Sequence, residues 1–338
     1  MSKRINTFFQ PLPSKKPKPD PSIPSSPATY THHPSYPIPI RDLPSTISTR
    51  LSNPPLHSPK AITNHPHLDL LYFQSFLPAP LARELFHFLR TELPFYRVQY
   101  TIHRNGIPTS INTPRFTTVF GVDDTSTFIP NPTPNPSSSP ILVDSKTHTP
   151  TKKYYHTQPR PIPPCLDLLR QAIQTTTSDE TKYNFILVNY YASDEDSISY
   201  HSDDEQFLGP SPTIASLSLG GTRDFLLKPK PKPKQLQDGS SAVGNSTAKP
   251  LKFPLHSGHL LIMRGETQRN WLHSVPKRKG GGGAGGMGRI NITFRRAVVP
   301  GGTENYYRYN VGDGVVYRWR EDEGRMVASA AAAGEVVG

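Results

Sequence analysis

His201-Ser202-Asp203 sets an imidazole and a carboxylate two residues apart within the polar stretch SYHSDDEQF at 199–207. In an extended segment, residues i and i+2 project to the same face, so His201 and Asp203 can converge on one point. A further histidine, His273, follows the apolar run HLLIM at 259–263. Two imidazoles and one carboxylate are a ligand set for non-haem Fe(II), which leaves positions open for other ligands. Zn(II) can use the same set with water beside it. The set alone does not choose between the metals, and His-x-Asp by itself also reads as a polar loop. The same spacing recurs at His67-Leu68-Asp69, where it opens an apolar segment and reads as structure.

The segment RINITFR, 289–295, adds a second constraint. As a strand it puts Arg289, Asn291, Thr293 and Arg295 on one face and Ile290, Ile292 and Phe294 on the other. Two arginines on an inward face are costly without anions. A dicarboxylate ligand supplies them, because guanidinium pairs carboxylate through two parallel hydrogen bonds. Alternatively that face turns outward, to solvent or nucleic acid. NFILVNYY, 184–191, alternates likewise, with Phe185, Leu187, Asn189 and Tyr191 on one face. Asn189 and Tyr191 can hydrogen-bond a carboxylate there, or serve as polar strand-end residues.

These side chains need strands to position them. NFILVNYY, TIASLSLGG (213–221), RDFLLK (223–228), HLLIM and RINITFRRAVV (289–299) form a β-rich half. HLDLLYFQSFLP (67–78) reads as a strand and turn, and RFTTVFGV (115–122) is also β-rich. Two helices precede the strand run. APLARELFHFLRTEL (79–93) carries Leu81, Leu85, Phe88 and Leu89 at helical spacing, and PIPPCLDLLRQAIQ (161–174) enters through prolines. The class is α+β, with the strands forming a sandwich, jelly roll or barrel.

Composition bounds the rest. The 338 residues include 39 prolines and only 34% hydrophobic residues, too few for a wholly globular chain. Residues 1–66 hold 15 of those prolines and eight Lys or Arg against Asp20 and Asp42, and are expected to form a disordered basic arm. KKPKP (15–19) is a nuclear-import candidate or a solvated linker. Low-complexity segments at 130–140, 229–249 and 280–288 read as surface loops, and 323–338 as a flexible tail. The net charge of +12 favours a polyanion such as nucleic acid. The lone Cys165 rules out an internal disulfide and points to a reducing compartment. The sequence contains no signal-peptide pattern and no apolar run long enough to span a bilayer.

Taken in order, NFILVNYY, HSDDE, SPTIASLSLGGTRDFLL, HSGHLLIMRGETQRNWLHSVP and RINITFR resemble the AlkB family of Fe(II)/2-oxoglutarate dioxygenases, in particular its eukaryotic DNA-repair branch. The resemblance covers about 184–296 and extends more weakly upstream through RVQYTIHRNG and PRFTTVFG to about residue 70. It implies a double-stranded β-helix, a form of jelly roll, with helices outside, over 67–322. It implies His201, Asp203 and His273 as iron ligands and catalytic centre. Asn189, Tyr191, Arg289 and Arg295 correspond to the 2-oxoglutarate-binding positions, Arg289 and Tyr191 at the distal carboxylate, Arg295 and Asn189 at the chelating end. Asp204 stands at the position next to the damaged base. Phe120 and Tyr155, with Tyr154 and His156, are candidates to stack on that base, and Val98, Gln99 and Tyr100 to form the tip of a probing hairpin.

The implied function is oxidative demethylation of N-alkylated DNA bases of the 1-methyladenine or 3-methylcytosine type. 2-Oxoglutarate would go to succinate and the methyl group would leave as formaldehyde. The target base must be extruded from the duplex, and KPKPKPK (228–234) would contact the backbone. A monomer in the nucleus is expected. At the N-terminus SKRINTFF resembles a degenerate sliding-clamp (PCNA) motif through Ile5, Phe8 and Phe9, with Ser2 where glutamine usually leads. The alternatives are a demethylase of methylated RNA, a non-catalytic nucleic-acid-binding scaffold of the same fold, and a zinc hydrolase using the same three ligands. The insert GGGGAGGMG at 280–288 departs from the family pattern between His273 and Arg289.

Overall fold

Alternating residues build two sheets; the more apolar face of the larger packs against the helices, and its other face, which carries the polar side chains of RINITFR, turns toward the smaller sheet. The computed structural model describes residues 28–53, 58–104, 106–132, 139–177, 181–231, 249–278, 287–299, 301–311 and 314–329. A short ribbon, β1 (Tyr30–Thr31) and β2 (Ile40–Arg41), leads to helix α1 (Ser45–Ser52), then β3 (Lys60–Ile62) and β4 (Leu70–Phe73). Helix α2 (Ala79–Glu92) precedes β5 (Phe95–Tyr96), an exposed hairpin of β6 (Gln99–Arg104) and β7 (Ile107–Asn112), and β8 (Phe116–Gly121). The ribbon β9 (Ser126–Ile129) and β10 (Ile141–Asp144) and helix α3 (Pro164–Thr177) come next. The strand-rich half runs β11 (Phe185–Tyr191), β12 (Ile198–His201), β13 (Ile214–Gly220), β14 (Arg223–Pro229), β15 (Leu251–Leu255) and β16 (Leu260–Met263). A single helical turn, α4 (Thr267–Asn270), then enters β17 (Trp271–Val275), followed by β18 (Arg289–Arg295), helix α5 (Gly302–Val311), β19 (Val316–Arg320) and β20 (Arg325–Ser329).

Ten strands form the major sheet, in the order β20-β19-β5-β8-β11-β18-β13-β16-β4-β3, and four form the minor sheet, β12-β17-β14-β15. This is the jelly-roll arrangement of an α+β chain. Ile186, Val188 and Tyr190 of β11 and Ile290, Ile292 and Phe294 of β18 join one core with residues of α1, α2 and α3. The opposite face of the major sheet shares a second core with the minor sheet, through Phe185, Leu187 and Tyr191 against Phe225, Leu227 and Val275. In α2 the spacing has its expected effect, since Leu81, Leu85, Phe88 and Leu89 are all buried and Pro80 occupies the first turn. No helix among the described residues is long and apolar enough to cross a membrane.

Two boundaries drawn from composition need correction. Within the expected disordered arm of 1–66, the described residues from 28 onward are packed on the domain. Tyr36, Ile40, Ile47 and Leu51 are buried in the outer core, and β3 pairs with β4. Fully burying such side chains contributes about 1.5–3 kcal/mol each, enough to hold a proline-rich segment against the domain. At the other end, β19 and β20 pair with each other and β19 with β5, so the expected tail from 323 is a strand as far as Ser329. The low-complexity loops fall mostly outside the described residues, as do the clamp motif and KKPKP.

Candidate active site

The pairing of β12 with β17 sets His201 directly opposite His273. Their ring centroids lie 4.2 Å apart. Asp203, immediately after β12, comes within 3.8 Å of His201 Nε2 and 3.9 Å of His273 Nε2. One potential ligand atom from each of the three lies within 4.8 Å of the others. Each ligand is oriented by a neighbour. His201 Nδ1 lies 2.9 Å from the Ser199 carbonyl, so it donates there and leaves Nε2 as a lone-pair ligand. The Phe225 ring stacks on His273 at 5.3 Å. The backbone N–H of Asp203 donates to Gln268 Oε1 at 2.9 Å, which fixes the turn carrying the carboxylate.

Electrostatics suits this cluster to a cation. Burial opposes ionisation of Asp203, but Arg295 and the two imidazoles outweigh it and hold the carboxyl below its ordinary range. Burial, with His201 beside it, pushes the His273 imidazole down to about 3. At neutral pH His273 is therefore a neutral ligand beside an ionised carboxylate, the form in which both bind metal.

The arginine face of β18 turns toward this cluster. Arg295 Nη2 pairs with Asp203 Oδ2 at 3.0 Å, both side chains fully buried. Arg289 donates from Nη2 to Ser218 Oγ at 2.9 Å, and its guanidinium lies over the Tyr191 ring at 5.4 Å. Register sets Tyr191 opposite Arg289 and Asn189 opposite Asn291. Asn189 Oδ1 accepts from Arg115 Nε at 2.8 Å. Arg289 Nε and Nη1 and Arg295 Nε are buried with no hydrogen-bond partner. A buried donor left unmade costs about 1–3 kcal/mol, more on a charged group, so the strand retains guanidinium donors that a carboxylate would satisfy.

A family model described as the 2OG-Fe(II) oxygenase superfamily matches residues 69–295. The chain belongs to that superfamily. Within it the similarity is to proteins of AlkB type. The DNA oxidative demethylase ALKBH2 of Arabidopsis thaliana is 34% identical over 238 residues, 67% of this chain and 66% of that protein. The alpha-ketoglutarate-dependent dioxygenase alkB homolog 3 of Mus musculus is 41% identical over 132 residues, 39% of this chain and 42% of that protein. The DNA oxidative demethylase ALKBH2 of Homo sapiens is 34% identical over 141 residues, 42% of this chain and 49% of that protein. The matched region thus spans between about two fifths and two thirds of each relative's length.

Both groups that the 2OG-Fe(II) oxygenase family requires fit the residues present. The His–Asp–His set has the chemistry of an iron site, and the unsatisfied guanidinium donors have that of a dicarboxylate site. Asp204 is half-exposed beside the cluster and accepts from Lys230 Nζ at 2.6 Å. The base-stacking candidates need correction. Phe120 is fully buried in the outer core, edge-on to Tyr36, on the face of β8 turned away from the minor sheet. The Tyr155 hydroxyl lies 3.4 Å from Ser126 Oγ in a buried contact, with no partner in the metal cluster. Tyr154 is exposed, and the backbone N–H of His156 donates to Glu304. The hairpin β6–β7 exists, but Gln99 pairs with Asn112 at its root, and the turn lies at Gly106.

Sequence reasoning passed over several supporting residues. Arg223 is buried, donates to the Ser193, Asp196 and Pro276 carbonyls and lies over the Tyr191 ring at 5.5 Å. Its signal was available, because Arg223, Phe225 and Leu227 alternate on one buried face of β14. Gln268, Arg115 and Tyr306 carry no comparable local signal.

Proposed function

We propose that this protein is an Fe(II)/2-oxoglutarate-dependent dioxygenase that removes N-methyl groups from alkylated DNA bases, of the 1-methyladenine and 3-methylcytosine type. The observation that carries the reading is the convergence of His201, Asp203 and His273 beside two buried arginines with unsatisfied donors. Relatives of AlkB type that are named DNA oxidative demethylases support the choice of substrate.

His201 Nε2, a carboxylate oxygen of Asp203 and His273 Nε2 would hold the iron. Arg289 and Tyr191 would receive the distal carboxylate of 2-oxoglutarate, and Arg295 with Asn189 its chelating end. When bound, iron would let dioxygen act as the oxidant and 2-oxoglutarate as the two-electron co-reductant: one oxygen atom of O2 would enter succinate as carbon dioxide is lost, and the other would hydroxylate the N-methyl carbon, the hydroxymethyl base then releasing formaldehyde. The protein positions and shields this chemistry. Phe225 and the core between the sheets close off the buried side of His273. His201 and Asp204 face the more open side, where an extruded base would approach. Lys230, paired with Asp204, stands on that same side and would contact phosphates without reading sequence.

The net charge of +12 supports a polyanionic substrate and, with KKPKP, a nuclear location. A monomer that engages a sliding clamp through Ile5, Phe8 and Phe9 completes the proposal. The deciding experiment is formaldehyde release with Fe(II) and 2-oxoglutarate on methylated single-stranded DNA, duplex DNA and RNA. Turnover highest on DNA is expected. Equal or faster turnover on RNA would overturn the substrate, and no formaldehyde or succinate on any of the three would overturn the enzyme.

A further inference from the structure

The match to the superfamily ends at residue 295, yet a side chain from beyond it reaches the active site. Tyr306, on α5, places its hydroxyl on Arg295 Nη1. Its ring also lies 5.1 Å from the guanidinium carbon. The ring is seated edge-on against Phe185 at 5.5 Å and Phe207 at 5.6 Å, and the hydroxyl end is turned inward. The helix is tied down along its length. Val298 and Val299 donate to the Phe207 carbonyl, and Gly301 donates to Asp123 Oδ2 at 3.1 Å. Gly302 lies so near Phe207 that a Cβ at that position would come within 2.0 Å of the Phe207 Cβ. Farther along α5, the Asn310 carbonyl accepts from Thr117 Oγ1 at 2.8 Å, and the Tyr307 hydroxyl donates to the Gly121 carbonyl at 2.9 Å.

Arg295 therefore has one acceptor on each terminal nitrogen, Asp203 Oδ2 on Nη2 and the Tyr306 hydroxyl on Nη1, while Nε is buried and unpaired. In a low-dielectric interior, a guanidinium held only by Asp203 would tend to turn both Nη groups onto that carboxylate, since the two-bonded pair is the stronger arrangement. That orientation would consume donors a second carboxylate needs. Tyr306 occupies Nη1 with a neutral acceptor, which an incoming anion can outcompete. We propose that Tyr306 is a positioning residue of the cosubstrate site: it holds Arg295 in the orientation that receives the chelating carboxylate of 2-oxoglutarate, so that the C-terminal helix completes a site whose other residues lie within the superfamily region. This inference rests on the functional reading above.

The test is calorimetric titration of 2-oxoglutarate into the full-length chain loaded with Mn(II), for the wild type and Tyr306→Phe, with Mn(II) affinity and thermal unfolding measured in parallel. The substitution keeps the ring in its aromatic seat and removes only the hydroxyl. Cosubstrate affinity should fall about ten- to a hundredfold, as for a lost hydrogen bond to a charged group. Mn(II) affinity should stay within about threefold, and the unfolding midpoint should fall by no more than about 4 °C, as for one lost buried hydrogen bond in a chain of this size. Cosubstrate affinity within twofold of wild type would overturn the inference while leaving the functional reading intact. A loss of affinity accompanied by a larger fall in the midpoint, or by loss of Mn(II) binding, would reduce Tyr306 to a structural residue and also overturn it. No 2-oxoglutarate binding by the wild type would overturn the functional reading itself, and the inference with it.

Discussion

Asp203 stands between two roles, anion for Arg295 and ligand beside two histidines, and replacing it disturbs both. Asp203→Ala leaves the Arg295 guanidinium buried without its anion and removes one of the three candidate metal ligands. Formaldehyde release and Mn(II) binding should both fall to background, as they should for His201→Ala. Arg289 is farther from the metal cluster and acts on the other carboxylate in the proposed arrangement. Arg289→Ala should raise the KM for 2-oxoglutarate at least tenfold, about 1.4 kcal/mol or more, and lower kcat less. Unchanged cosubstrate affinity would remove Arg289 from the site. Titration gives a further expectation at this scale. Burial, with His201 beside it, pushes His273 down to about 3, and burial, with His256 beside it, pushes His259 down to about 4. Unfolded, both bind a proton near the ordinary histidine value of 6.5. Between these limits the unfolded chain holds more protons than the folded one, so stability rises with pH. The unfolding midpoint of the metal-free chain should therefore fall as pH drops from 7 toward 4.5, and His259→Asn should flatten part of that slope.

Elements set these residues in place through register. His201 meets His273 because β12 and β17 pair there, and Arg289 meets Tyr191 because β18 and β11 pair in an unbroken antiparallel register. A one-residue slip of β18 would turn both arginines into the apolar helix-side core. Its polar face and apolar face were legible in RINITFR, since period-two alternation is a local property. So were β11, α2 and α3. Partner strands were not legible, because pairing joins residues distant in sequence. One turn shows how tightly the frame is drawn. Gly121 ends β8 at φ 98°, and a Cβ there would come within 2.0 Å of the Asn184 carbonyl oxygen. Gly121→Ala should destabilise the chain by roughly 2–4 kcal/mol, combining left-handed backbone strain with overpacking, as read by urea unfolding.

At the scale of the whole molecule, segments with little intrinsic pattern are recruited by the surfaces they cover. Proline density in 1–66 suggested disorder, yet Ile40, Ile47 and Leu51 are buried in the outer core. Leu51→Ala should cost about 2–4 kcal/mol in urea unfolding, whereas the same change in a disordered arm would cost nothing measurable. α5 behaves likewise. PGGTENYYRYN is glycine-rich and polar, and its helix is held by Phe207, Asp123 and Thr117, all supplied by the fold.

By itself, the sequence determined which side chains could bind a metal and a dicarboxylate, which strand faces they occupy, and the family to which they belong. These follow from residue type and from periods of two and 3.6, which act over a few neighbours. The tertiary structure alone decided that Phe120 lies in the core, that Arg223 stands against Tyr191 and Tyr306 against Arg295, and that residues 28–53 and 314–329 pack onto the rest of the fold. Those facts depend on which distant surfaces meet. Burial and desolvation act only once they have met.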